Sequence, residues 1–104
     1  MFEDWRAEFE PLPYRIVDPP TPVLVHIASA FGAIGGRPAN TLPLRVRAEG
    51  LALDVQVMGT LSAWARVNTG SWICRVSFSI PTSNGRGHLD VDQWCPAAAV
   101  RPCT

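Results

Sequence analysis

The chain has 104 residues, 47% of them hydrophobic and 17% charged, with a formal net charge of zero. That composition suits one small domain with a buried core, excludes a disordered chain, and gives no global electrostatic case for a nucleic-acid or membrane partner. No apolar run approaches the roughly 20 residues of a membrane span, and the opening Met-Phe-Glu-Asp lacks the basic-then-apolar order of a signal peptide, so a cytoplasmic setting with reduced Cys74, Cys95 and Cys103 is expected.

The charge is unevenly spread. Glu3, Asp4, Glu8, Glu10 and Asp18 outnumber Arg6 and Arg15 in the first twenty residues, which leaves the remainder mildly basic. Every cationic residue is Arg and none is Lys. A GC-rich genome produces that bias, which points to a bacterial or phage source rather than to a function.

In chain order, the first expected element is a short helix over residues 1–10. Phe2, Trp5 and Phe9 recur at three and four residues and form one apolar stripe. It is too short to stand alone, so it needs a surface to lie on. Residues 11–22 carry five prolines and read as an extended lead-in with at most a short edge strand at 14–17. The body of the domain, residues 23–104, begins with the continuous apolar strand "PVLVHIA", in which His26 reads as a core or cross-strand residue. A Gly-rich loop over 29–40 follows, without dinucleotide or phosphate-loop spacing.

From residue 43 the pattern alternates in period two. "PLRVRAEGLALDVQVMG" predicts a hairpin turning at Glu49-Gly50, with Leu44–Val55, Val46–Leu53 and Ala48–Leu51 on one face and Arg45–Asp54 and Arg47–Ala52 on the other. Gly59 marks a bend or bulge. The next hairpin, "LSAWARVNTGSWICRVSF", turns at Thr69-Gly70. A two-residue turn pairs Leu61–Phe78, Ala63–Val76, Ala65–Cys74 and Val67–Trp72 towards the core. Trp64 and Arg75 then face each other outside, beside Arg66 and Ile73. A three-residue turn shifts this register by one and exchanges faces.

"PTSNGRGHL" is turn chemistry centred on Asn84-Gly85, and Leu89 and Val91 open a further strand. "DQWCPAAAVRP" has an aromatic, a proline-led tight turn and a short last strand. These residues, 92–102, resemble the closing segment of SH3-like small barrels. The fold expected is all-β: a small antiparallel barrel, SH3-like or related, of five to six strands in one domain with a short N-terminal helix.

The chemistry is sparse. No C-x-x-C or H-x₃₋₅-H pair supports a metal among His88, Cys74, Cys95 and Cys103, and no nucleophile elbow is present. His88, Asp90 and Asp92 share one strand face and read as a solvated polar edge. No enzyme activity, cofactor or metal is expected. The surface that stands out is Trp64, Arg66, Ile73 and Arg75 on the outer face of the 61–80 hairpin, with Arg45 and Arg47 nearby. Large apolar groups rimmed by Arg mark contact hot spots, so the expected function is non-catalytic binding to another protein, as a module, small subunit or inhibitor. Single-stranded nucleic acid, gripped by Arg and stacked on Trp64, is the alternative. Self-assembly into a homo-oligomer is the third.

Overall fold

The computed structural model describes residues 1–8, 10–32 and 42–103. The fold is all-β. Five antiparallel strands, β1 (Tyr14–His26), β2 (Gln56–Arg66), β3 (Trp72–Pro81), β4 (His88–Pro96) and β5 (Val100–Pro102), form one curled sheet, a half-barrel, in the order β4-β3-β2-β1-β5. A 3₁₀ turn, Ala97–Ala99, carries the chain from β4 back to β1, where β5 pairs through Val23–Val25. Among the described residues between β1 and β2 are two short helices, α1 (Ile27–Phe31) and α2 (Leu44–Glu49). No helix of the described residues is long and apolar enough to cross a membrane.

The inner face carries the main core. Val23, Val25, Ile27, Ala30, Leu61, Cys74, Val76, Phe78, Ile80, Cys95 and Ala99 form one cluster. α1 closes it on one side: Ile27 and Ala30 point in, and the Gln93 amide donates to the Ala30 carbonyl. This period-two burial along β3 and β4 is what the alternating sequence predicts for a sheet with one wet face.

Three expectations are corrected. The first is the N-terminal helix. Residues 2–5 make a single turn closed by the Trp5 N–H on the Phe2 carbonyl, and no helix occurs within residues 1–8. A helix nucleus that short is unfavourable, and aromatic packing takes its place. The Phe2 ring stacks on Tyr14 with centroids 4.6 Å apart and lies 6.2 Å from Trp94, while Trp5 lies 5.2 Å from Tyr14. Phe9 lies outside the described residues.

The second is the hairpin expected over 43–59. Residues 44–49 form α2 instead, and β2 starts only at Gln56. Leu, Arg, Ala and Glu are good helix formers, so "LRVRAE" satisfies a helix as readily as a strand. The Gly50 N–H closes the last turn on the Val46 carbonyl. The Asn84 and Ser83 N–H groups of the β3–β4 turn then bind the Ala48 and Gly50 carbonyls, which satisfies acceptors a helix end would leave open. Arg45 therefore does not face Asp54 across a ladder.

The third is the register of the second hairpin. The loop has three residues, Asn68, Thr69 and Gly70. The Val67 carbonyl accepts from the Gly70 N–H, and Gly70 sits at φ +94°. That is a type I turn followed by a left-handed glycine. Its consequence is the pairing Ala63↔Arg75, Trp64↔Cys74, Ala65↔Ile73 and Arg66↔Trp72. A bulge at Ser62 then shifts the ladder again, so that Leu61 meets Val76 and Gly59 meets Phe78. The expected pairs 61–78, 63–76, 65–74 and 67–72 do not form.

The strand β1 begins inside the proline-rich segment. Its register with β2 breaks between Ile16 and Thr21, at Asp18-Pro19-Pro20, where a missing N–H is tolerated. His26 pairs with Gln56 in the ladder and its ring nitrogen bonds the Ser29 hydroxyl at 2.7 Å, so it is a cross-strand residue on the exposed side and not a core one. The apolar strand ends at His26, and residues 29–31 of the expected Gly-rich loop belong to α1 instead, while its residues 33–40 lie outside the described residues. The Asn84-Gly85 turn, the strand after it and the turn-and-strand closure at 96–102 stand as expected.

Candidate functional site

The register decides where each nominated side chain goes. In an antiparallel ladder, directly paired residues share a face. Cys74 is fully buried in the inner cluster, so its partner Trp64 points inward too. It is half-buried and packs against that cluster. Arg15 pairs with Trp64 from the other side, and Trp72 and Arg66 form the next row towards the hairpin turn. Four side chains, Arg15, Trp64, Arg66 and Trp72, thus stand on the concave side at one end of the half-barrel.

Two grooves meet at Trp64. One, about 380 Å³, is lined by Arg15, Trp64, Trp72 and Ala97. The other, about 390 Å³, runs from Thr21–Val23 past Leu61 and Trp64 to Val100–Cys103. Both fall in the lower part of the range of small ligand and peptide clefts. The Arg66 guanidinium lies 5.6 Å from the centroid of the Trp72 ring and its Nε donates to the Gly70 carbonyl. A cation held over an indole in this way contributes about 0.5–1 kcal/mol where solvent reaches it. Arg15 has no carboxylate partner among the described residues.

The other nominated residues are elsewhere. Ile73 and Arg75 are on the outer face, opposite Pro96 and Trp94. Arg75 makes a two-pronged pair with Asp92, at 3.0 and 2.9 Å. Arg45 and Arg47 are exposed on α2. That helix is tied to the β3–β4 turn, roughly 30 Å along β3 from Trp72 at strand rise. The six residues named from the sequence do not form one surface. Trp64 and Arg66 remain together, while Arg15 and Trp72 join them.

In the sequence Arg15 is only a charge in a proline-rich connector, and nothing in its neighbours reveals that it stands beside Trp64. Trp72, expected in the core, is instead a half-exposed rim residue on the same face.

The outer face near the hairpin turn is covered by the chain itself. Ala63 and Ala65 are buried, yet they do not belong to the inner cluster. They pair with Ile16 and Tyr14 on one side and Arg75 and Ile73 on the other. Tyr14 carries Phe2 and Trp5 on its ring, and Phe2 reaches Trp94. So the N-terminal residues cover the outer side of the hairpin.

The polar row at the far end of the outer face is a set of neighbours on solvent. The Ser79 hydroxyl donates to Asp90, and His88 Nε2 stands 3.6 Å from the same carboxylate. The carboxylate lies between the hydroxyl and the imidazole, so His88 has no contact with the Ser79 proton it would have to remove as a general base. Asp92 is engaged by Arg75. Among the described residues no group of three or more His, Cys, Asp or Glu side chains could hold a metal ion.

No family model, no curated protein and no solved structure matches this chain. What the concave groove can bind therefore follows from its own geometry.

Proposed function

We propose that the chain is a non-catalytic binding module that takes a segment of another protein in the concave groove beside Trp64. The observation that carries this is the pairing of two tryptophans, Trp64 and Trp72, on one open concave face between Arg15 and Arg66. Trp and Arg are the residue types enriched at contact hot spots, and a cleft lets them desolvate a partner side chain fully. The outer face of the same hairpin, which the sequence favoured, is occupied near the turn by Phe2 and Trp5.

We take the architecture as SH3-like. Supporting this are the five-strand order β4-β3-β2-β1-β5 and the 3₁₀ turn that leads β5 back to β1. The cytoplasmic setting and the bacterial or phage origin belong to the same proposal and rest on composition.

The test is selection of peptides from a displayed random library on the immobilised chain, followed by affinity measurement on purified variants. Trp72→Ala and Arg15→Ala should each weaken selected peptides, Trp72→Ala by about 2 kcal/mol, some thirtyfold. Leu44→Ala, exposed on α2 far from the groove, should leave affinity unchanged. Equal binding by all three variants would reject the groove.

A second use of the same side chains is single-stranded nucleic acid. The alternation of guanidinium and indole at Arg66–Trp72 is what a base-stacking platform needs. Binding of a thymidine oligonucleotide that falls steeply with salt would favour it over the protein partner.

A further inference from the structure

Cys74 and Cys95 are direct partners in the β3–β4 ladder. Cys74 is fully buried, Cys95 is 2% exposed, and their sulfurs are 3.8 Å apart. Directly opposed residues of antiparallel strands have Cα atoms about 4.5–5.5 Å apart, inside the range that a disulfide spans, about 4.4–6.8 Å. The ladder spacing is therefore compatible with a disulfide, and the sulfurs, 3.8 Å apart, have to close to about 2.05 Å for the bond to form. Cys103, the third thiol, is exposed and stands beside the Met58 thioether at 3.6 Å.

We propose that Cys74 and Cys95 are a modification site: a hydroperoxide oxidises them to an intrachain disulfide that staples β3 to β4. The two thiols are not equivalent. The contact between the two sulfurs, together with burial, raises the Cys74 pKa above its ordinary value, and the same contact lowers that of Cys95 against the opposing effect of its own burial. The attacking role is assigned to Cys95 as part of the proposal, because its thiolate is the one the sulfur–sulfur contact favours.

The steps balance. The Cys95 thiolate displaces hydroxide from hydrogen peroxide and becomes a sulfenic acid, and the hydroxide takes up the proton that Cys95 lost. The Cys74 thiol then attacks the sulfenic sulfur. The S–S bond forms, the S–O bond breaks, and one water leaves with the thiol proton. Two thiols are oxidised and one peroxide is reduced to two waters in total. Burial selects a small oxidant, and β4 is the edge strand of the sheet, so Cys95 has no further strand outside it.

The bond would form within the row that carries the binding groove. Trp64 is the ladder partner of Cys74, on the side away from Cys95. Oxidation would therefore register at Trp64, whose fluorescence a neighbouring disulfide quenches.

The test uses the 104-residue chain carrying Cys103→Ser. That change is needed because cleavage after Arg86 separates Cys74 from Cys95, whereas Arg101-Pro102 resists trypsin and leaves Cys95 and Cys103 on one fragment. Folded protein is treated with hydrogen peroxide, then unfolded in excess N-ethylmaleimide and digested. The result expected is loss of both alkylatable thiols, a cross-linked pair of fragments containing Cys74 and Cys95, quenched tryptophan emission, and full recovery with dithiothreitol. With Cys95→Ser added, Cys74 should stay alkylatable. The proposal is overturned if both thiols remain alkylatable while circular dichroism shows folded protein. It is also overturned if the disulfide joins two copies of the chain, or if it forms only in urea.

Discussion

Trp64 and Cys74 stand opposite each other across β2 and β3, on the inner face of the half-barrel. That one pair sets the direction of every side chain near the hairpin turn. It also makes the two tryptophans of the hairpin unequal in a way that stability measurements reveal.

Trp64 packs on the inner cluster, and Trp72 sits at its rim. Trp64→Ala should therefore destabilise the fold by at least ~2 kcal/mol, towards the range for buried aromatics. Trp72→Ala should cost under about 1 kcal/mol, as for a partly exposed residue. Equilibrium urea unfolding of both variants checks this, and the reverse order would restore the two-residue turn.

Gly59 has no room for a side chain. A Cβ there would lie 2.8 Å from a Val25 methyl and 2.9 Å from the Ser77 carbonyl oxygen. The methyl can yield, but the backbone of β3 cannot without straining its ladder. Gly59→Ala should lower stability by about 1–3 kcal/mol, the usual cost of overpacking, seen as a lower urea midpoint with unchanged slope.

Gly70 is required for its backbone and not for space. Its φ is +94°, and a Cβ there would meet nothing within 4 Å. The penalty of Gly70→Ala is therefore conformational, about 1–2 kcal/mol. Replacing Thr69 by Asn leaves the turn geometry intact and should change stability by less than about 0.5 kcal/mol. Thermal unfolding followed by circular dichroism distinguishes the two.

Phe2 should behave as a structural residue although it stands at the start of the chain. Phe2→Ala removes the ring stacked on Tyr14 and reaching Trp94, and each aromatic pair is worth about 0.5–1.5 kcal/mol beyond burial. A loss of about 1–2 kcal/mol and a changed near-ultraviolet spectrum are expected, with peptide binding in the opposite groove unaffected.

Much of the sheet is legible in residues 61–102 because alternation there is strict and the turns carry Asn and Gly. The strands at 72–81 and 88–96, the inward Cys74, and the closing turn all follow from that. The site is harder to read. Both the tight-turn variant at Asn68-Thr69-Gly70 and the bulge at Ser62 are decided by backbone geometry that leaves the apolar pattern unchanged. Each moves the register by one residue, and one residue turns Trp64 over. The 43–55 segment misleads for a different reason. Leu44, Val46 and Ala48 alternate like a strand, yet the Ala48 and Gly50 carbonyls are claimed by the Ser83–Asn84 turn, a contact between segments that no local pattern encodes.

The bulge at Ser62 gives β2 two allegiances. Before it, Gly59 and Leu61 serve the inner core, and after it Ala63 and Ala65 serve the layer beneath the N-terminal aromatics. A single strand thus belongs to two hydrophobic layers on opposite sides of the sheet. Substitutions can accumulate in one layer without being felt in the other, so the groove lining and the N-terminal cover are free to diverge separately in descendants of this sequence, provided that the small residues of β2 stay small.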